Sequence, residues 1–96
     1  MKEGENMKFK PYQKNRIFGG VQYIFKFDNG YGASVVSHLF SYGGEIGLWE
    51  LAVIKFDDSG EWEIVYDTNI TDDVIGYLTW EEVEEILDKI QKLKKE

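Results

Sequence analysis

Few residues in this 96-residue sequence have chemical potential: one histidine, two adjacent aspartate pairs, and one loop dense in Asp, Asn and Thr. Histidine is the usual general base near neutral pH. His38, however, sits in the strand-like "VSHLF" with no serine or carboxylate at a spacing that would make a triad or dyad. Adjacent acids on extended backbone point to opposite sides, so neither Asp57/Asp58 nor Asp72/Asp73 forms a catalytic pair alone. "DDSG" (57–60) resembles half a calcium loop but lacks the alternating acids and the final bidentate Glu; a hairpin turn accounts for it. Asp67 with Asp72 or Asp73 is the one acid pairing that spans a loop, and hence the one candidate cation site. Asp, Asn and Thr side chains also bond to nearby backbone and build turns. "YDTNITDD" (66–73) therefore reads first as wiring between a sheet and a helix, with a recognition surface as the alternative. "SYGGEIGLW" (41–49) lacks the Lys and the strand–loop–helix context of a phosphate loop, and Arg16 is the only arginine available for bidentate phosphate recognition. No catalytic residue, metal or cofactor is assigned.

The elements that must position these residues follow from periodicity. "VQYIFKF" (21–27) and "YGASVVSHLF" (31–40) flank "DNG", a strong hairpin signal because such turns need positive φ. "LWELAVIKF" (48–56) is the most apolar stretch and the expected central strand. "EWEIVYD" (61–67) alternates, with Trp62, Ile64 and Tyr66 on one side. Thr79 followed by Glu82 is a capping box. Val83, Ile86, Leu87, Ile90 and Leu93 then share one helical face. The helix starts among Glu81, Glu82, Glu84 and Glu85 and ends among Lys89, Lys92, Lys94 and Lys95, as the macrodipole favours. Glu85–Lys89 and Asp88–Lys92 have the spacing of i,i+4 ion pairs. The expected fold is α+β: a four-stranded antiparallel β-meander with one C-terminal α-helix packed on one face (ββββα). Residues 1–16 are read as a mobile basic arm, and residues 17–96 as a single globular domain.

Composition bounds the function. Without cysteine, disulfides, thiolate catalysis and zinc–thiolate sites are excluded. The N-terminus lacks the apolar core of a signal peptide, and no apolar run approaches the ~20 residues of a membrane helix. The cytoplasm is the expected compartment, with no membrane contact. Net charge is −7 and unevenly spread: residues 1–26 sum to +4, residues 27–88 to −14 and residues 89–96 to +3. An acidic body of this kind repels nucleic acid and attracts a basic partner. The expected function is therefore non-enzymatic binding of a basic protein. The alternative is an oligomeric binder that sequesters a small molecule or nucleotide.

Residues 48–56 alternate with apolar side chains on both sides, whereas one helix covers only one face. Trp49, Leu51 and Val53 are assigned to the uncovered face, as a homo-oligomer interface or a surface lying beneath the arm. Partner or ligand contacts are assigned to Tyr42, Gly43, Gly44, Trp49, Asp67, Thr68, Thr71, Asp72 and Asp73.

The blocks "FDNGYGASVVS", "YGGEIGLWELAV" and "YDTNITDDVIGYLTWEEV" together resemble a family of small bacteriophage and prophage proteins, over roughly residues 23–93. The resemblance implies no catalytic residues. It implies an accessory setting in a host cell, where small acidic proteins block host nucleic-acid-binding proteins or defence factors.

Overall fold

The computed structural model describes residues 7–95. Its α+β architecture is an antiparallel sheet with one C-terminal helix, and the sheet has six strands rather than four. The elements run β1 (Gln13–Ile17), β2 (Gly20–Lys26), β3 (Tyr31–Ser37), β4 (Trp49–Phe56), β5 (Trp62–Ile64), β6 (Ile75–Leu78) and α1 (Trp80–Gln91), with a 3₁₀ turn at Gly44–Ile46. Strands β1 to β5 lie side by side in chain order, and β6 pairs with the first half of β4. The meander is as expected; the two additional strands, β1 and β6, lie at its margins.

Strand β1 occupies residues expected in the mobile arm. It pairs with β2 from Gln13↔Ile24 to Ile17↔Gly20. Phe18 and Gly19 make the two-residue turn, with φ of +47° and +74°. Those angles are the left-handed pair that matches strand twist in a tight hairpin. Met7 and Phe9 pack against the edge of the core, and the Lys8 N–H donates to Glu84 Oε2 at 2.7 Å. The rest of the expected arm, residues 1–6, lies outside the described residues.

The other two hairpins share one three-residue turn. Gly30 N–H donates to Phe27 O and Gly60 N–H to Asp57 O, with Gly30 and Gly60 at φ +89° and +87°. Asn29 has a further role: its Nδ2 donates to the carbonyls of Ile90 (2.9 Å) and Leu93 (3.0 Å), while its Oδ1 accepts from Tyr31 N–H. The turn thus satisfies carbonyls that the helix C-terminus would otherwise leave open. At the other end Thr79 and Glu82 form the expected capping box, and Lys92 bonds Asp88 at 2.8 Å.

Helix α1 lays Val83, Leu87 and Ile90 on one sheet face. There they join Tyr23, Phe25, Tyr31, Ala33, Val35, Trp49, Leu51 and Val53 in a single buried cluster. Tyr23, Trp49 and Trp80 meet ring to ring, Trp49–Trp80 at 4.8 Å between centroids. This corrects the face assignment: Trp49, Leu51 and Val53 are 5%, 0% and 1% exposed and lie beneath the helix, not at an uncovered interface. The face left open carries Ala52, Ile54 and Phe56. Both alternating sets of β4 are apolar, so alternation alone could not say which one the helix takes; in the fold Trp49 meets Tyr23 of β2 and Trp80 of α1 on the helix side.

Two expectations follow. Leu51→Ala should lower the unfolding free energy by about 2–5 kcal/mol, as read by denaturant melts at one fixed protein concentration. Thr79→Ala should cost roughly 0.5–2 kcal/mol for the lost cap, and an unchanged melt would place the helix start elsewhere.

Candidate functional site

The open sheet face is divided along its width. On the β1–β3 side it carries an amide ladder: Gln13 Nε2 donates to Asn15 Oδ1, Asn15 Nδ2 to Gln22 Oε1, and Gln22 Nε2 to Ser34 Oγ, each at 2.9–3.0 Å. On the β4–β5 side it is apolar. Phe56 lies opposite Trp62 and Ile54 opposite Ile64, and alternation carries Tyr66 to the same side. Ile54 is fully buried, whereas Trp62, Ile64 and Tyr66 are 37%, 38% and 53% exposed. Tyr12 closes one end by an edge contact with Phe56, and Lys26 sits over both rings at 5.1 Å.

Strand β5 is the outer edge here, and all three of its residues are exposed. Carboxylates surround it: Asp57, Asp58, Glu61, Glu63 and Asp67 are all exposed. A surface cleft of about 460 Å³ is lined by Lys55, Phe56, Asp57, Glu61, Trp62 and Glu63. Asp57 braces the β4–β5 turn, its Oδ1 accepting from Ser59 Oγ (2.6 Å), Ser59 N–H (2.9 Å) and Glu61 N–H (3.0 Å). The Ser59 hydroxyl bond, aided by the backbone donors, holds the Asp57 carboxyl below the usual carboxylate range. The "DDSG" segment is therefore a hairpin turn, as the sequence suggested.

The residues assigned to partner or ligand contact occupy unlike surroundings. Tyr42 is exposed and stacks on Tyr77 at 6.5 Å. Tyr77 N–H donates to Tyr42 O, and Tyr77 itself takes a left-handed φ of +59°. Gly43 is buried against Tyr77 and Leu48, and a Cβ on Gly44 would collide with the His38 carbonyl. These glycines permit close backbone approach in the β3–β4 connection. Trp49 is in the core, on the helix side. In the loop, Thr68 Oγ1 accepts from Ile70 N–H, Thr71 Oγ1 from Asp73 N–H, and Asp73 Oδ1 from Val74 N–H. That is local wiring, with Asp67, Asp72 and Asp73 exposed. Among the described residues, no group of three His, Asp or Glu side chains comes together to hold a metal ion. None of their helices is long and apolar enough to cross a membrane.

Sequence reasoning placed Trp62, Ile64 and Tyr66 on one side of a strand but gave them no role. Their alternation, in the last strand before a polar loop, was the available signal. His38 lies near the Phe18–Gly19 turn, its ring in edge contact with Phe18 at 5.2 Å and its Nδ1 accepting from Phe40 N–H. Comparisons with protein-family models, with curated proteins and with solved structures find no match to this chain.

Because the Asp57 pKa is lowered in the fold, the stability it contributes is fully present above the ordinary aspartate range. It is lost as pH falls through the lowered value. Carboxyl NMR titration should place the Asp57 midpoint below the ordinary aspartate value, and Ser59→Ala should raise it.

Proposed function

We propose that this chain is a small acidic, non-enzymatic accessory protein of phage type that binds and blocks a basic host protein in the host cytoplasm. In that role it would act as an anti-defence factor or as a mimic of nucleic-acid charge. The observation that carries this reading is the β5 edge, where an exposed Trp62–Ile64–Tyr66 stripe is bordered by carboxylates. Protein interfaces are dominated by a few aromatic anchors at the centre of a polar rim. Trp62 and Tyr66 supply anchors, and the acids select a positively charged counterpart and speed its approach. The three phage-like sequence blocks supply the setting. The −14 charge of residues 27–88 makes contact with nucleic acid by the body unfavourable, since phosphate binding depends on clustered cations.

The test is affinity capture from host lysate by the intact protein and by Trp62→Ala/Tyr66→Ala, with mass spectrometry of what is retained. The expected outcome is a basic protein held by the wild type, released as salt rises and lost from the double variant. Retention indifferent to both salt and the substitutions would overturn the reading.

A further inference from the structure

We propose that the two edges of the sheet are complementary and that copies of this chain join head to tail, β1 of one copy adding to β5 of the next. This deepens the reading of β5 as a docking edge by naming a second copy as one occupant.

The argument begins with which backbone groups the edges offer. Phe27 N–H bonds Tyr31 O across the β2–β3 hairpin, so the odd-numbered residues of β2 bond to β3 and the even-numbered ones to β1. Gln13, Asn15 and Ile17 therefore turn their N–H and C=O groups inward, and Lys14 and Arg16 turn theirs outward. At the other edge Asp57 N–H bonds Glu61 O and Val65 N–H bonds Val53 O. Residues 61, 63 and 65 thus face β4, while Trp62 and Ile64 offer their backbone groups to solvent.

Side-chain direction adds charge to that pattern. Lys14 lies opposite Tyr23 and Arg16 opposite Val21, which places both cations on the helix side of the sheet; the Lys14 Nζ sits 5.7 Å from the Tyr23 ring centroid. Glu63 lies opposite Lys55, whose Nζ is over the core ring of Tyr31, so Glu63 and its alternate neighbour Glu61 are on the helix side too. β1 and β5 run in the same direction, because each successive strand of the meander reverses.

Two sheet edges can meet in six ways (β1–β1, β5–β5 or β1–β5, each parallel or antiparallel), and charge chooses among them. Joining β1 to β1 antiparallel sets Lys14 and Arg16 against their own copies, and joining β5 to β5 antiparallel does the same with Glu61 and Glu63. The parallel like-edge joins turn one copy over and bring no opposite charges together. An antiparallel β1–β5 join requires one copy to be turned over, which sends the cations and the acids to opposite faces. Only the parallel β1–β5 join, with both helices on one side, brings them together. In a parallel ladder a residue with outward groups bonds to the two residues flanking its opposite number. Arg16 opposite Glu63 meets this condition: its N–H reaches Trp62 C=O, and its C=O accepts from Ile64 N–H. The same register sets Lys14 opposite Glu61 on the helix side, and Asn15 and Ile17 opposite Trp62 and Ile64 on the open side. Charged residues commonly protect sheet edges from pairing; here they exclude like edges and match unlike ones. A join of this type is heterologous and continues as a ring or a filament, with the sheet's right-handed twist winding it.

Sedimentation tests it on the protein alone, with no basic partner present, so failure of the host-protein reading leaves this result separate. The wild type should gain mass with concentration at low ionic strength and lose it as salt shortens the screening length to about 3 Å at 1 M. Lys14→Glu/Arg16→Glu and Glu61→Lys/Glu63→Lys should each be monomeric. Mixed, they should co-assemble and grow, since the two retained edges match one another and so do the two reversed ones. The variant carrying all four changes should assemble again. Where a double variant folds poorly, Arg16→Glu and Glu63→Lys as single changes serve the same design. A wild type that stays monomeric at its highest soluble concentration in low salt would overturn the proposal. So would assembly that either variant sustains alone, or a mixture that does not pair.

Discussion

The architecture depends on a single helix having to choose one face of a central strand that is apolar on both. Strand β4 alternates Trp49, Leu51 and Val53 with Ala52, Ile54 and Phe56, and α1 buries only the first set. The choice is fixed at the two ends of the helix. Thr79 starts it directly after β6, which is itself hydrogen-bonded to β4. Asn29, in the β2–β3 turn, holds its last carbonyls. The helix therefore crosses between two points of one sheet face, and Trp80 falls beside Tyr23 and Trp49. From that placement it follows that the other set faces away from the helix, with Ala52 and Ile54 still buried and the exposed Trp62–Ile64–Tyr66 stripe extending it at the edge.

Much of this was legible beforehand because it depends on local chemistry. The capping box, the helical face, the "DNG" turn and the consecutive meander are each specified within a few residues. Strand β1 was not, because "QKNRI" has no apolar alternation and its turn is Phe18–Gly19 rather than Asn–Gly. Phe18 is held at positive φ by the pairing on either side and by the Leu39 N–H that donates to its carbonyl, a tertiary effect no short window contains. Strand β6 was hidden for a different reason. "IGYL" includes a glycine that admits the Tyr42 side chain and a left-handed Tyr77, so it pairs with β4 through a bulge and lacks strand periodicity.

The candidate site was less legible than the fold. Tyr42, Trp49 and the Asp67–Asp73 loop were grouped because they are rich in glycine, aromatic rings or acids, and composition does not say which of these side chains point outward. Trp49 packs inward and Tyr42 packs on Tyr77. Thr68, Thr71 and Asp73 are engaged with nearby backbone, which is the commoner use of such residues in turns. What the sequence did convey was the separation of charge. The basic N-terminal segment becomes one edge of the sheet and the acidic segment after β4 becomes the other, so a bias along the chain is converted into a gradient across the molecule.

That gradient limits what the β5 edge can do. A basic partner and a neighbouring β1 edge would both engage Glu61, Glu63 and the backbone of Trp62 and Ile64, so they exclude one another. Self-association lowers the apparent affinity for any partner by the fraction of edges already occupied, and a partner that binds tightly enough caps growth by mass action. Both contacts would weaken with salt, because each is built from exposed opposite charges. They would differ in geometry. The neighbouring copy needs the strand backbone and one fixed register, whereas a basic globular surface needs only the side chains of Trp62 and Tyr66 and their acidic rim. Substitutions that keep the charges but remove the rings would therefore separate the two proposed occupants, weakening a basic globular partner more than a strand added in register.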